Sequence, residues 1–222
     1  DTLAVTLQFM FELVAGSTVR AEDDEGLDDL SAHRIGLAHD GGGDQARAME
    51  AWVAPAFGSN LCRFTVGGKA VIDFDRALLL ARDFTGTPVL YPTPNRVRNG
   101  VFQWKGALYR QEKRGKLVLE HGLVHSEPWQ HGEPIAEADG ARLETWIDFR
   151  EGEAVFTPFP FPHRLSLEFR LTETGMTITY KILNTGTREL PFGLGLHPYF
   201  MKLSGEAGTW VTLPTRSVMD AT

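Results

Sequence analysis

The sequence predicts an all-β protein, a sandwich of antiparallel sheets, and three observations carry that prediction. Leu165, Leu167, Phe169 and Leu171 alternate with polar residues, and after Glu173-Thr174-Gly175 the alternation resumes at Met176, Ile178, Tyr180 and Ile182. Two half-buried strands joined by a glycine-containing turn make an antiparallel hairpin. Leu3, Val5, Leu7, Phe9, Phe11 and Leu13 alternate in the same way over residues 3–13, a strand pattern. Elsewhere short apolar runs (Trp52–Val53, Leu61–Val66, Ala70–Phe74) recur between turn residues such as Gly58-Ser59-Asn60 and Gly67-Gly68, the texture of a sandwich.

In chain order, residues 15–47 differ in kind. Acidic residues cluster at 22–29, Gly41-Gly42-Gly43 follows, and no period is sustained. This reads as a long loop, linker or extension that adds little to the core. Residues 1–47 are therefore expected to be an N-terminal strand plus an acidic, glycine-rich extension, with the sandwich domain over 48–222. Asp75 to Arg82 is the only good helical stretch, with Asp75 as N-cap and Leu78, Leu79 and Leu80 as helix formers. Residues 86–94 form a proline-punctuated loop. Leu190, Phe192, Leu194 and Leu196 alternate with Pro191, Gly193 and Gly195, which predicts a strand packed on one face and ended by Pro198. That strand delivers His197 to the sheet margin, where an imidazole can serve as acid or base near neutral pH.

The bulk numbers exclude several classes. At 222 residues, 42% hydrophobic and 23% charged, the chain is an ordinary globular one. A net charge of −7 and a pI of about 5.5 argue against nucleic acid or an anionic membrane as partner and favour small-molecule or protein partners. No run of 18 apolar residues predicts a transmembrane helix. The single cysteine, Cys62, excludes an internal disulfide and fits a reducing, cytoplasmic compartment. It lies in a predicted strand and reads as core rather than nucleophile. Phosphate-loop, nucleophile-elbow and dinucleotide signatures are absent.

His121 and His125 stand at a spacing that would present two metal ligands on one helical face. Gly122 and the β-like Leu117-Val118-Leu119 argue against a helix there, and no metal site is expected. The stronger use of His121 is at a Glu-His-Gly corner, where glycine lets a ligand come close. His33, His39, His131 and His163 have no such setting and read as surface or structural residues. Asn95 and Arg96 lie in a proline-framed loop that suits a guanidinium holding a hydroxyl or carboxylate. Phe102, Trp104, Trp129 and Tyr199 could offer flat apolar surfaces, which suit the C–H face of a pyranose or a core.

One resemblance gathers these residues. Gly58-Ser59-Asn60-Leu61, Pro88-Val89-Leu90-Tyr91-Pro92, Asn95-Arg96-Val97, Gly100-Val101-Phe102, His121-Gly122-Leu123-Val124 and Leu196-His197-Pro198-Tyr199-Phe200 together resemble the aldose 1-epimerase (galactose mutarotase) family, in the same order from about residue 50 to the end. The resemblance implies a galactose mutarotase-like supersandwich of curved antiparallel sheets, with a cofactor-free sugar site on the concave face. It implies that His197 is the acid serving the ring oxygen while His121 and Arg96 hold ring oxygen and hydroxyls. Asn95, Trp129 and Tyr199 complete the expected substrate-binding set, and the partner is a hexose or related sugar.

The family's general base is a glutamate well downstream of the His-Pro-Tyr-Phe element, and an aspartate lies between. Neither is placed in this chain, which ends 22 residues after Phe200. The chain is therefore expected to be an excerpt of a longer one, truncated in its sandwich and inactive by itself. Glu120, Glu127 and Asp148 read as solvated charge rather than as substitute bases. Two alternatives stay open: a non-catalytic carbohydrate-binding or regulatory module on the same fold, and a sugar-phosphate epimerase using cations such as Arg63, Arg98 and Lys105.

Overall fold

The computed structural model describes residues 2–9, 33–37, 49–172 and 174–202. Its strands, in chain order, are β1 (Thr2–Phe9), β2 (His33–Leu37), β3 (Met49–Ala54), β4 (Asn60–Val66) and β5 (Lys69–Ala70), then β6 (Val89–Leu90) after helix α1 (Arg76–Leu80). There follow β7 (Val101–Trp104), β8 (Ala107–Arg110), β9 (Glu112–Lys113), β10 (Lys116–Leu117), β11 (Gln130–His131) and β12 (Ile135–Glu137). The long strands β13 (Gly140–Phe149), β14 (His163–Thr172) and β15 (Gly175–Asn184) come next, and β16 (Gly195–Leu196) last.

The alternation read at 163–183 becomes the centre of a six-stranded sheet ordered β1-β15-β14-β13-β11, with β12 also on β13. Its register stacks Leu143, Phe169 and Ile178 in one cross-strand row and Ile147, Leu165 and Ile182 in another. All six are buried, while Arg142, Glu144, Asp148, Arg164 and Arg170 point from the opposite face. Each such apolar side chain contributes about 1.5–3 kcal/mol by leaving water. A four-stranded sheet, β2-β3-β4-β5, lies across this core. Met49, Ala51, Val53, Phe64 and Val66 share one apolar cluster with Leu143, Leu167 and Tyr180, so the antiparallel sheets form a sandwich.

Several expectations hold locally. The Asp75 carboxylate accepts from the Leu78 N–H and caps α1. Cys62 is buried in β4, its thiol donates to the Trp52 carbonyl at 3.3 Å, and burial pushes it up to about 12, so it is not a nucleophile.

Two expectations differ from the structure. Residues 33–37, inside the segment read as loop, pair with β3 over their whole length. Only Gly195–Leu196 of the 190–196 stretch forms a strand, on β6. Leu190, Phe192 and Leu194 instead cover the core from a loop, whose Gly193 lies where a Cβ would meet Pro94 Cδ at 2.7 Å. The end of the first predicted strand, the acidic and glycine-rich stretches, His39 and the segment after Lys202 lie outside the described residues.

Candidate functional site

The site is assembled on the segment 86–97, which exchanges backbone hydrogen bonds with two other segments. On one side Val97 N–H donates to Leu119 O at 2.7 Å, His121 N–H to Asn95 O at 2.8 Å, and Leu123 N–H to Tyr91 O at 2.7 Å. On the other, Gly193 N–H donates to Pro92 O at 2.7 Å, His197 N–H to Pro88 O at 3.1 Å, and Tyr199 N–H to Gly86 O at 2.9 Å. One segment of backbone thus carries His121 and His197 on its two flanks.

The corner at His121 requires its glycine. Gly122 has φ +79°, and a Cβ there would stand 2.2 Å from the Tyr91 carbonyl oxygen. His121 itself is left-handed at φ 58°, a conformation a non-glycine residue keeps only where its surroundings enforce it. Here the bond to Asn95 O and the bridge between Arg96 and Glu120 do so.

The imidazoles of His121 and His197 meet edge to face, centroids 5.7 Å apart at 68°. His197 is exposed and its ring lies 5.0 Å from that of Tyr199. Arg96 reaches Glu120 with Nε to Oε2 at 3.6 Å. Burial holds His121 below the ordinary imidazole range; Glu120 opposes this, and the neighbouring His197 and Arg96 add to it. Asn95 lies exposed beside Arg96, at φ 62°. Trp129 is the expected site residue that lies elsewhere. It is 5% exposed in the core, where its indole N–H donates to Val124 O at 3.2 Å.

Of two further neighbours of the pair, Phe84 gave no functional sign in the sequence, and His125 gave only the metal-ligand spacing set aside above. The Phe84 ring lies 5.0 Å from His121, 4.7 Å from His125 and 6.1 Å from His197, stacked on His125 at 22°. Burial first, then the charge of Lys113, lowers His125 to about 4, so it is a neutral packing group. Behind it, Lys113 Nζ donates to Leu123 O at 2.8 Å and pairs with Glu127 Oε1 at 3.1 Å, while Arg114 meets Glu127 Oε2 at 3.0 Å. Glu127, expected as solvated charge, is therefore buried and paired. Asp148 is likewise gripped by Arg164 at 2.7 and 2.8 Å. Lys105, a candidate phosphate ligand, is held by Glu189 at 2.7 Å.

Among the described residues, no three metal-binding side chains cluster. None of the three histidines lines the cavity of about 520 Å³ bounded by Arg110, Glu112, Lys113 and Arg114. What the cluster offers is an exposed imidazole beside a partly buried one, with a guanidinium and a carboxylate at the rim. That set suits proton transfer to, and hydrogen bonding of, a polyhydroxylated ligand.

The aldose 1-epimerase family model matches residues 45–211. Two Escherichia coli (strain K12) proteins, uncharacterized YihR and YphB, are similar at 30% identity over 115 residues and 29% over 111. Each match covers 50% of this chain and about a third (34% and 35%) of the relative. Among solved structures, the Slr1438 protein of Synechocystis sp. PCC 6803 superposes with a TM-score of 0.62 at 22% identity, over 86% of this chain and 58% of that one. A galactose mutarotase-like protein of Clostridium acetobutylicum gives 0.61 at 22% identity, over 77% and 52%. The chain thus has a galactose mutarotase-like fold and spans just over half the length of these structures.

Proposed function

The chain belongs to the aldose 1-epimerase family, and we propose that it carries the proton-donor side of a site interconverting the α and β anomers of a hexose. One observation supports this above the others: two histidines distant in sequence bring their rings within 5.7 Å on one backbone segment. Anomer exchange opens the pyranose. The C1–O5 bond breaks as the ring oxygen takes a proton and the anomeric hydroxyl gives one up; reclosure on the other face of C1 yields the other anomer.

His197, exposed at the rim, donates the proton to the ring oxygen. His121, whose affinity for a proton is lowered by its partial burial, and the Arg96 guanidinium hydrogen-bond the ring oxygen and hydroxyls. Asn95 adds a polar side chain at the same rim, and Tyr199 walls the site beside His197. Trp129 serves from the core, tying the loop after His125 in place through its bond to Val124 O. Glu120, the carboxylate at the His121 corner, is engaged by Arg96, so the acceptor of the anomeric proton is left unassigned.

Polarimetry of freshly dissolved α-D-galactose, with acetate added as a soluble base, tests this reading. The chain should speed equilibration beyond acetate alone, and His197→Ala should abolish the excess. Without acetate little acceleration is expected, since only water is then assigned to accept the anomeric proton and the contribution of a positioned base, typically about 10²–10⁴-fold, is missing. An excess unchanged in His197→Ala contradicts the proposal, and galactose binding with no excess at all would mark a carbohydrate-binding module instead.

A further inference from the structure

We propose that Phe84 is the positioning residue of the His121–His197 pair, a ring that wedges the two imidazoles into their edge-to-face arrangement. The proposal rests on the epimerase reading for what the pair does; the packing itself does not depend on it.

The loop carrying Phe84 is pinned from three directions. The Asn60 side chain donates to Thr85 O at 2.8 Å and accepts from Thr87 N–H at 2.8 Å, so one amide spans the loop. Thr85 Oγ1 accepts from Asp75 N–H at 2.7 Å, fixing the loop to the cap of α1. Gly86 N–H donates to Asp73 O at 3.1 Å, and Gly86 O accepts from Tyr199 N–H at 2.9 Å. The last bond connects the Phe84 loop directly to the segment that carries His197. Gly86 is needed for the close approach, since a Cβ there would meet Asn60 Oδ1 at 2.4 Å and the backbone is at φ +66°.

From this pinned loop the phenyl ring contacts all three imidazoles of the cluster. His125 stacks on it and the edge-on contact with His121 crowds it further, so it is poorly placed as a platform for a pyranose. Its geometry instead restrains neighbouring rotamers. His197 is exposed, and an exposed imidazole free to turn about χ1 and χ2 spends part of its time away from His121. The His121–His125 loop is fixed from behind by Lys113, which donates to Leu123 O, so the wedge works against a rigid wall.

The test is nuclear Overhauser spectroscopy on the 222-residue chain with labelled histidine and phenylalanine, together with D-galactose titrations of Phe84→Leu and Phe84→Tyr. The wild type should show contacts from the Phe84 ring to His121 and His125, and between His121 and His197. Phe84→Leu should lose the His121–His197 contact and weaken galactose binding about tenfold or more, the scale set by small misplacements of site groups. Phe84→Tyr, which keeps the ring, should retain both. A folded Phe84→Leu with that contact and its galactose affinity intact overturns the proposal. So does a wild-type chain without the Phe84–His121 contact, which decides the matter even if the leucine variant fails to fold. A wild type that binds no galactose counts against the epimerase reading alone, because the ring contacts are read without sugar.

Discussion

The Tyr91 hydroxyl lies 2.8 Å from Nε2 of His163, in the core beneath the His121 corner. Nδ1 of the same imidazole lies 2.6 Å from Phe161 O, an acceptor only, so Nδ1 carries the proton and Nε2 accepts from the tyrosine. His163 is therefore neutral in the fold, and burial lowers it to about 4.

This makes stability depend on pH with a definite sign. Between about 6.5 and about 4 the unfolded chain binds a proton at His163 that the folded chain refuses. Folding free energy is fully present above the upper value and is lost as pH falls towards the lower, by about 3 kcal/mol for this residue. His125 acts in the same direction. Urea midpoints measured from pH 7.5 to 4.5 should fall steeply below 6.5, and a flat profile would contradict the neutral assignment.

Gly122→Ala places a methyl group 2.2 Å from a backbone oxygen at a positive φ. Backbone strain of this kind costs about 1–3 kcal/mol before any movement of Tyr91 is counted. The thermal midpoint should drop by several degrees and the amide signals of 91 and 121–123 should shift; an unchanged midpoint would show that the corner is not constrained as described.

Glu127→Gln removes the charge that neutralises Lys113 in a nearly closed environment, where side-chain exposures are 11% and 5%. Breaking a buried pair from one side costs about 3–5 kcal/mol because the partner is left uncompensated. The double variant Lys113→Met, Glu127→Gln should recover part of that loss in chemical denaturation. A double variant no more stable than the single would mean that Arg114, not Lys113, dominates the pairing.

What was legible in the sequence follows from where the physics is local. The 163–183 hairpin declares itself because a half-buried sheet imposes a two-residue period on Leu165–Leu171 and Met176–Ile182. The His-Gly and His-Pro elements stood out because glycine permits the left-handed corner after His121 and proline stops the ladder after His197, at the points where the two histidines project. The 190–194 stretch misled because a loop covering the core also needs every second side chain inward, and Pro191 with Gly193 kept it out of the ladder. Glu127 carries no local sign of burial, since its cations arrive from β9 and the turn after it. Phe84 sits among Asp83, Thr85, Gly86 and Pro88, a loop composition, and its three histidine neighbours are brought to it by tertiary contacts.

The central claim, that His121 and His197 together handle a hexose, is tested most directly by titrating D-galactose into histidine-labelled chain and following each imidazole by NMR. Saturable shifts at His121 and His197, with buried His163 and exposed His131 unmoved, are the predicted result. Shifts absent from both, or spread evenly over all four, would contradict it.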